Sequence, residues 1–288
     1  MSAARGIAGR KDDPVDGHKP VLYESHAHTP MCKHALGHPD EYVAVARDRG
    51  LKGLIFTCHN PIPGGWAARV RMSPDEFQEY LELVARVRAD WRQRMDVRLA
   101  MESEFVPGME GWLEELHGRA EFNYILAGVH PQVREYMALY QRPDILDFQR
   151  GYFQHLAQAA ETKLFDALAH PDIVKNLFPR VWRVALVLDE IKRCLDRIAR
   201  TGVAIELNTS GLGKEVPEMN PGREILAEVR ARNIPVVLGG DAHQPTRVGA
   251  FFPEALDLLG ELGFTHVSVF LRRKRHDINI ETARASLL

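Results

Sequence analysis

The stretch VLYESHAHTPMCKHALGHPDEYVAVARDRGLKGLIFTCH, residues 21–59, holds one complete unit of the fold. An apolar run ends on His26-x-His28, a helix-like segment follows, and a second apolar run ends on His59. Pro39 suits the first turn of that helix, Asp40 and Glu41 complement its dipole, and Gly50 closes it before the next run. Strand, helix and strand in this order predict a parallel pair joined by a crossover. Each strand carries histidine at its C-terminal tip.

The same grammar recurs along the chain. VRLAMESE reaches Glu102, FNYILAGVH ends on His130, FDALAHPD contains His170, and PVVLGGDAH ends on Asp241-x-His243. A single His-x-His pair means little, because 13 histidines in 288 residues give roughly 0.6 such pairs by chance. Six apolar runs ending alike are a pattern. Between them, helical spacing recurs after Ser73-Pro74, where Phe77, Tyr80, Leu81, Val84, Val87 and Trp91 share a face. Further helices are expected at about 109–118, 146–161, 185–200 (with Leu188, Ile191, Leu195 and Ile198 inward) and 221–231, the last opened by Asn220-Pro221. With GVAIELNTSG and THVSVF, the strand-like runs number about eight. Alternation on this scale, without a Gly-rich dinucleotide fingerprint, predicts an α/β parallel barrel in a single domain rather than an open doubly wound sheet. In a barrel the strand tips meet at one mouth.

The composition sets outer limits. Hydrophobic residues make up 45% and charged residues 26%, an ordinary globular balance. A net charge of -2 supplies no basic footprint, so neither nucleic acid nor a membrane surface is an expected partner. No run reaches the roughly 18 apolar residues of a membrane span, and the opening MSAARGIAGRKDDPVDGHKP lacks the apolar core of a signal peptide. A cytoplasmic protein is expected, with a mobile arm over residues 1–20 and the barrel over 21–288. Cys32, Cys58 and Cys194 form no CxxC spacing, which suggests neither a disulfide framework nor a zinc ribbon.

His26, His28, His34, His59, Glu102, His130, His170, Asp241 and His243 are therefore the candidate metal ligands. Side chains two apart on a strand share a face, so His26 and His28 can serve one ion. One strand-end histidine alone is more simply a hydrogen-bonded core residue. A mouth crowded with imidazoles and carboxylates is poor electrostatically unless cations occupy it. Imidazole with a minority of carboxylate suits Zn, Mn, Fe or Ni better than Mg or Ca. Cys58, beside His59, is read as a small buried hydrophobe rather than a ligand.

The run HAHTPMCKHALGHPDEYVAVARDRGLKGLIFTCHNP, followed by ESEF, AGVHP, AHPD, ELNTSG and LGGDAH, resembles the polymerase-and-histidinol-phosphatase (PHP) superfamily, in particular its monofunctional histidinol-phosphatase branch. The resemblance covers nearly everything after Val21. It implies a distorted (β/α)7 TIM-like barrel and a centre of three transition-metal ions, Zn, Mn or Fe. It also implies the grouping of ligands: His26, His28, Glu102 and Asp241 on one ion, Glu102 as a bridge with His130 and His170 on a second, and His34, His59 and His243 on a third. One position departs from the family, which usually has Asp where this chain has Cys58 in TCH. That departure puts in doubt the support of His59, whose second ring nitrogen needs an acceptor.

The activity so implied is hydrolysis of L-histidinol phosphate to L-histidinol and phosphate in histidine biosynthesis, through a metal-bridging hydroxide, with Glu102, Asp241 and His243 in the catalytic machinery. No Ser or Cys nucleophile motif is visible. Arg71, Lys175, Asn208 and Arg247 are the expected substrate-binding residues, with Glu206 a further candidate. Another phosphoesterase on the same barrel, acting on phosphotyrosine or nucleic acid, is the alternative enzyme, and a non-catalytic metal-binding module is the alternative outside catalysis. The sequence leaves the oligomeric state open.

Overall fold

The computed structural model describes residues 19–287, so the expected N-terminal arm lies almost wholly outside the described residues. Parallel strands β1 (Tyr23–Ala27), β2 (Gly53–Phe56), β3 (Asp96–Leu99), β4 (Met101–Glu104), β5 (Ile125–Gly128), β6 (Ala167–Leu168), β7 (Ala204–Asn208) and β8 (Val236–Gly239) pair in chain order. β3 and β4 are successive halves of the expected VRLAMESE strand: the first half pairs with β2, the second with β5, and Ala100 marks the change of partner. Seven strand positions therefore surround the axis. The ring closes where His28 N donates to Ala242 O and Ala242 N to His26 O, each at 2.9 Å. Glu24, fully buried on β1, reinforces the seam by accepting from Gly240 N at 2.8 Å and Gly249 N at 2.7 Å.

The eighth expected strand has a different place. β9 (His266–Leu271) touches β8 only at Val237↔Ser268 and then turns back into antiparallel β10 (Lys274–Asn279). One edge of β8 is thus shared, its lower part by β9 and the segment beyond it by β1, so β9 stays outside the ring.

Helices α1 (Pro39–Asp48), α2 (Phe77–Trp91), α3 (Glu110–His117), α4 (Arg134–Tyr140), α5 (Ile145–Glu161), α6 (Leu188–Ala199), α7 (Arg223–Ala231), α8 (Phe252–Glu261) and α9 (Ile280–Ala285) complete the described part. α1 begins with a capping box, in which the Glu41 carboxylate accepts from His38 N at 2.6 Å. α2 buries Phe77, Tyr80, Val84, Val87 and Trp91, the face its spacing predicts. Among the described residues no helix is long and apolar enough to cross a membrane.

Inside the barrel, the two-residue period of the strands sorts side chains by height. Ile55, Ala100, Tyr124, Leu126, Ala167, Ala204 and Val237 make an apolar floor. Two residues further along the same strands come Glu102, Gly128, Glu206 and Gly239, and two further still Glu104, His130, Asn208 and Asp241. Phe270 of β9 stacks on Tyr124 at 5.6 Å and closes the N-terminal end. The hairpin tip is pinned there, with Arg273 N donating to Asn123 O at 2.9 Å and Arg273 Nε to Asp166 Oδ2 at 2.5 Å.

Candidate metal centre

All nine expected ligands gather at the C-terminal mouth. His26 Nε2 and His28 Nε2 lie 3.1 Å apart. They stand 3.4 and 3.6 Å from Glu102 Oε2, and 3.7 and 3.3 Å from Asp241 Oδ1. The other oxygen of Glu102, Oε1, is 3.4 Å from His130 Nε2 and 3.0 Å from His170 Nε2. One carboxylate thus faces two separate sets of nitrogens. His34 stacks on His243 with ring centroids 4.4 Å apart, and His59 lies 5.5 Å from His34 and 6.1 Å from His243. Donor atoms of His59 and His243 converge more tightly with His28, and those of His34 and His243 with Cys32, than the three expected partners do with one another.

Two ligand positions carry backbone strain. His170 at φ 28° and Asp241 at φ 48° occupy the left-handed region without being glycine, a conformation that packing must enforce and that clusters at functional sites. Glycines make room for other side chains of the cluster. A Cβ on Gly128 would meet His130 Cε1 at 2.7 Å and Glu102 Oε1 at 2.9 Å, and one on Gly239 would overlap the Glu206 carboxylate.

A second layer of groups aims the imidazoles. Glu206 holds His26 Nδ1 at 2.7 Å, Glu104 holds His130 Nδ1 at 2.7 Å, and the Cys32 carbonyl holds His34 Nδ1 at 2.7 Å. Each contact occupies Nδ1 and leaves Nε2 toward the cluster, the usual way a ligating histidine is oriented. Glu104 went unread in the sequence, although it stands two residues beyond Glu102 on the same strand face. Glu206 proves to be a partner of His26.

Electrostatically the mouth calls for positive charge. Burial opposes ionisation of Glu102 and Asp241, yet surrounding imidazoles (His59, His26 and His130 about Glu102; His26, His243 and His28 about Asp241) hold both well below the usual carboxylate range. Burial likewise opposes charge on His28 and His130, but Asp241, Cys58 and Glu102 lift the first to about 9, and Glu104 and Glu102 lift the second to about 10. Burial, with His28 and His130 nearby, pushes His59 well down. Several buried atoms have no hydrogen-bond partner, among them Glu102 Oε2, His59 Nδ1, His170 Nδ1 and His243 Nε2. Glu102 Oε2 and His59 Nδ1 are only 2.8 Å apart without hydrogen-bond geometry. Buried donors and acceptors left this way are costly unless something else satisfies them. Imidazoles and carboxylates converging on common points, with unsatisfied atoms among them, fit transition-metal ions.

The expected substrate residues divide. Arg71 is buried, with Glu104 accepting from one terminal nitrogen at 2.7 Å and Asn60 Oδ1 from the other at 2.8 Å, while its Nε has no partner. It lines a cavity of about 500 Å³ that His34, His59 and His130 also border, together with Arg69, Arg134 and Glu135. Asn208 is buried, donating to Glu206 at 2.9 Å and accepting from Ser210 N at 3.0 Å, so it orients neighbours. Lys175 departs from the expectation of a cation leaning over the mouth. It is fully buried, with Nζ 3.0 Å from Asp172, 3.1 Å from Glu218 and 2.9 Å from Met219 O, so its three donors are spent. Arg247 departs too: its guanidinium lies 5.5 Å over the Phe251 ring and lines a different hollow. Lys214, absent from the sequence expectations, stands 3.7 Å from Asp241 Oδ2.

His59 Nδ1, whose support was in doubt, has no hydrogen-bond partner, and Cys58 is fully buried, as expected. Its side chain supports not His59 but the other wall, accepting from Thr29 Oγ1 at 3.2 Å and lying with Cys32 beside His28. Successive residues of an extended segment point opposite ways, so Cys58 and His59 have different neighbours.

Comparison with known proteins agrees with this geometry. The sequence matches the PHP domain family over residues 24–210. A Deinococcus radiodurans protein named "Probable histidinol-phosphatase" is 36% identical over 88% of this chain and 98% of its own length. A Bacillus subtilis histidinol-phosphatase is 24% identical over 81% of this chain and 98% of its own length. The crystal structure of histidinol phosphate phosphatase from Lactococcus lactis, complexed with zinc, L-histidinol and phosphate, superimposes with a TM-score of 0.72, covering 90% of this chain and 99% of that one at 20% identity.

Proposed function

The chain belongs to the PHP domain family, and from that premise we propose that it is a metal-dependent phosphomonoesterase that hydrolyses L-histidinol phosphate to L-histidinol and phosphate. The observation that carries this reading is the convergence of seven histidines, Glu102 and Asp241 on one mouth, beside a cavity walled by arginine.

His26, His28, Glu102 and Asp241 would hold one ion, Glu102, His130 and His170 a second, and His34, His59 and His243 a third, with Zn, Mn or Fe the fitting metals. Clustered ions of this kind supply nucleophilic water at neutral pH and neutralise charge on phosphoryl oxygens, which an uncatalysed phosphomonoester lacks. The protein's own contribution is placement. Glu104 and Glu206 fix the rings of His130 and His26, and Glu104 also braces Arg71 against the cavity wall. Arg69, Arg71 and Arg134 offer cationic donors to a phosphate, and Glu135 is the carboxylate nearest in kind to what an amino or imidazolium group needs. Three unpaired, buried thiols support a cytoplasmic setting.

The test is steady-state kinetics on histidinol phosphate, phosphotyrosine and a short oligonucleotide, with metal content measured on the same sample. Turnover of histidinol phosphate that a chelator abolishes and Mn or Zn restores is the expected result. Preference for phosphotyrosine would overturn the substrate, and metal-independent turnover would overturn the mechanism.

A further inference from the structure

His28 is held differently from its neighbours. His26 and His130 each give Nδ1 to a carboxylate, and His34 gives it to a carbonyl. His28 Nε2 faces His26, Glu102 and Asp241, while Nδ1 on the other edge of the ring is buried with no hydrogen-bond partner. Around that ring lie two thiols: ligating atoms of His28, Cys32 and Cys58 all fall within 4.8 Å of one another, and all three residues are fully buried. Cys58 Sγ is fixed in turn, because Thr29 Oγ1 donates to it at 3.2 Å and its own S–H faces Thr29 O at 3.6 Å. Tyr80 anchors the backbone beneath it, accepting from Cys58 N at 3.3 Å and donating to Phe56 O and Ala100 O.

We propose that Cys58 is the positioning residue of His28: in the metal-loaded protein its nearby sulfur accepts from the otherwise unpartnered Nδ1–H, fixes the ring, and keeps Nε2 presented to the metal cluster. A thiol sulfur is a weak but adequate acceptor. The interaction does for His28 what Glu206 does for His26. The proposal rests on the metal-centre reading above and assigns Cys58 no contact with substrate.

The experiment compares wild type, Cys58→Ala, Cys58→Asp and Cys194→Ala, each loaded with zinc, by the rate and extent of zinc loss to a competing chelator, with metal content per chain determined by elemental analysis. Cys58→Ala should weaken retention about 10- to 100-fold, the range found when an orienting partner of a ligating histidine is removed. Cys58→Asp should restore most of it, and Cys194→Ala, which removes a buried thiol from α6 away from the mouth, should retain zinc as wild type does. Equal retention by Cys58→Ala and wild type would overturn the proposal, as would an equal loss in Cys194→Ala. A measurement on the wild type alone covers variants that fail to fold: ¹⁵N shifts of the zinc-loaded protein should show His28 protonated at Nδ1 and ligating through Nε2, and the opposite tautomer would overturn the proposal. A wild type that binds no zinc would overturn the metal-centre reading itself, whereas a metal-replete wild type matched by Cys58→Ala overturns only the role of Cys58.

Discussion

The two ends of the barrel are built on opposite principles. At the N-terminal end, Tyr124, Leu126, Val237, Val269 and Phe270 pack without a polar atom left over from the floor itself apart from the Tyr124 hydroxyl, and the β9–β10 hairpin is tied down through Asn123 and Asp166. At the C-terminal end, imidazoles and carboxylates crowd together, buried atoms lack partners, and His170 and Asp241 sit in a left-handed backbone conformation. The same strands run through both ends, so the contrast is not one of local propensity. The floor stabilises the fold, whereas the unsatisfied buried groups and strained backbone of the mouth cost some of that stability.

The largest expected effect breaks the mouth and spares the floor. Glu102→Gln keeps the shape but removes the charge shared by two nitrogen sets, so kcat/KM should fall by roughly a thousandfold or more, the scale seen when a group stabilising transition-state charge is lost. Bound metal, read by elemental analysis, should fall with it, and the melting temperature of the chelated protein should hold or rise. A chelated variant clearly less stable than chelated wild type would mean that Glu102 is a structural group. The converse substitution is Phe270→Ala. It should cost about 3 to 5 kcal/mol in denaturant unfolding, as truncation of a buried aromatic does, with metal content and KM unchanged. Loss of metal in that variant would show that the two ends are coupled.

The sequence displayed the mouth more clearly than the floor. The candidate ligand positions stood out because the chemistry is strong and the context repeats: for all but His34, a histidine, Glu102 or Asp241 at the tip of an apolar run. The count of strands in the ring was legible only through the family resemblance, which implied seven where the apolar runs alone gave about eight. THVSVF has the same composition as the barrel strands, and only the sharing of the β8 edge between Ser268 and Ala27 shows that it lies outside. Lys175 and Arg247 looked like free cations because nothing local reveals that Asp172 and Glu218 enclose one and Phe251 underlies the other. Glu104 and Cys58 were harder still. Their roles depend on which face of the strand tip they occupy, and His130 and His28 meet them from other strands.

His117 gives the smallest and most specific contrast with the mouth. It ends α3 near the barrel's N-terminal half, 2.9 Å from Ser103 Oγ and edge-on to Phe165. Burial chiefly, and then the charge of Arg273, pushes it down to about 4, so it is folded in as a neutral ring, where His28 and His130 are pulled up. A histidine depressed in the folded state is protonated only in the unfolded chain between its free value near 6.5 and about 4, and unfolding is favoured as pH falls through that window. The contribution is fully present above the free value and lost progressively below it, amounting to at most roughly 3 kcal/mol across the window. Denaturant unfolding of chelated wild type and chelated His117→Gln at pH 7.5, 5.5 and 4.5 isolates it, because the ligand histidines titrate alike in both proteins. The wild type should lose stability more steeply than the variant below about pH 6.5. Parallel curves would mean that the His117 ring accepts its proton in place, and that the N-terminal half tolerates charge as the mouth does.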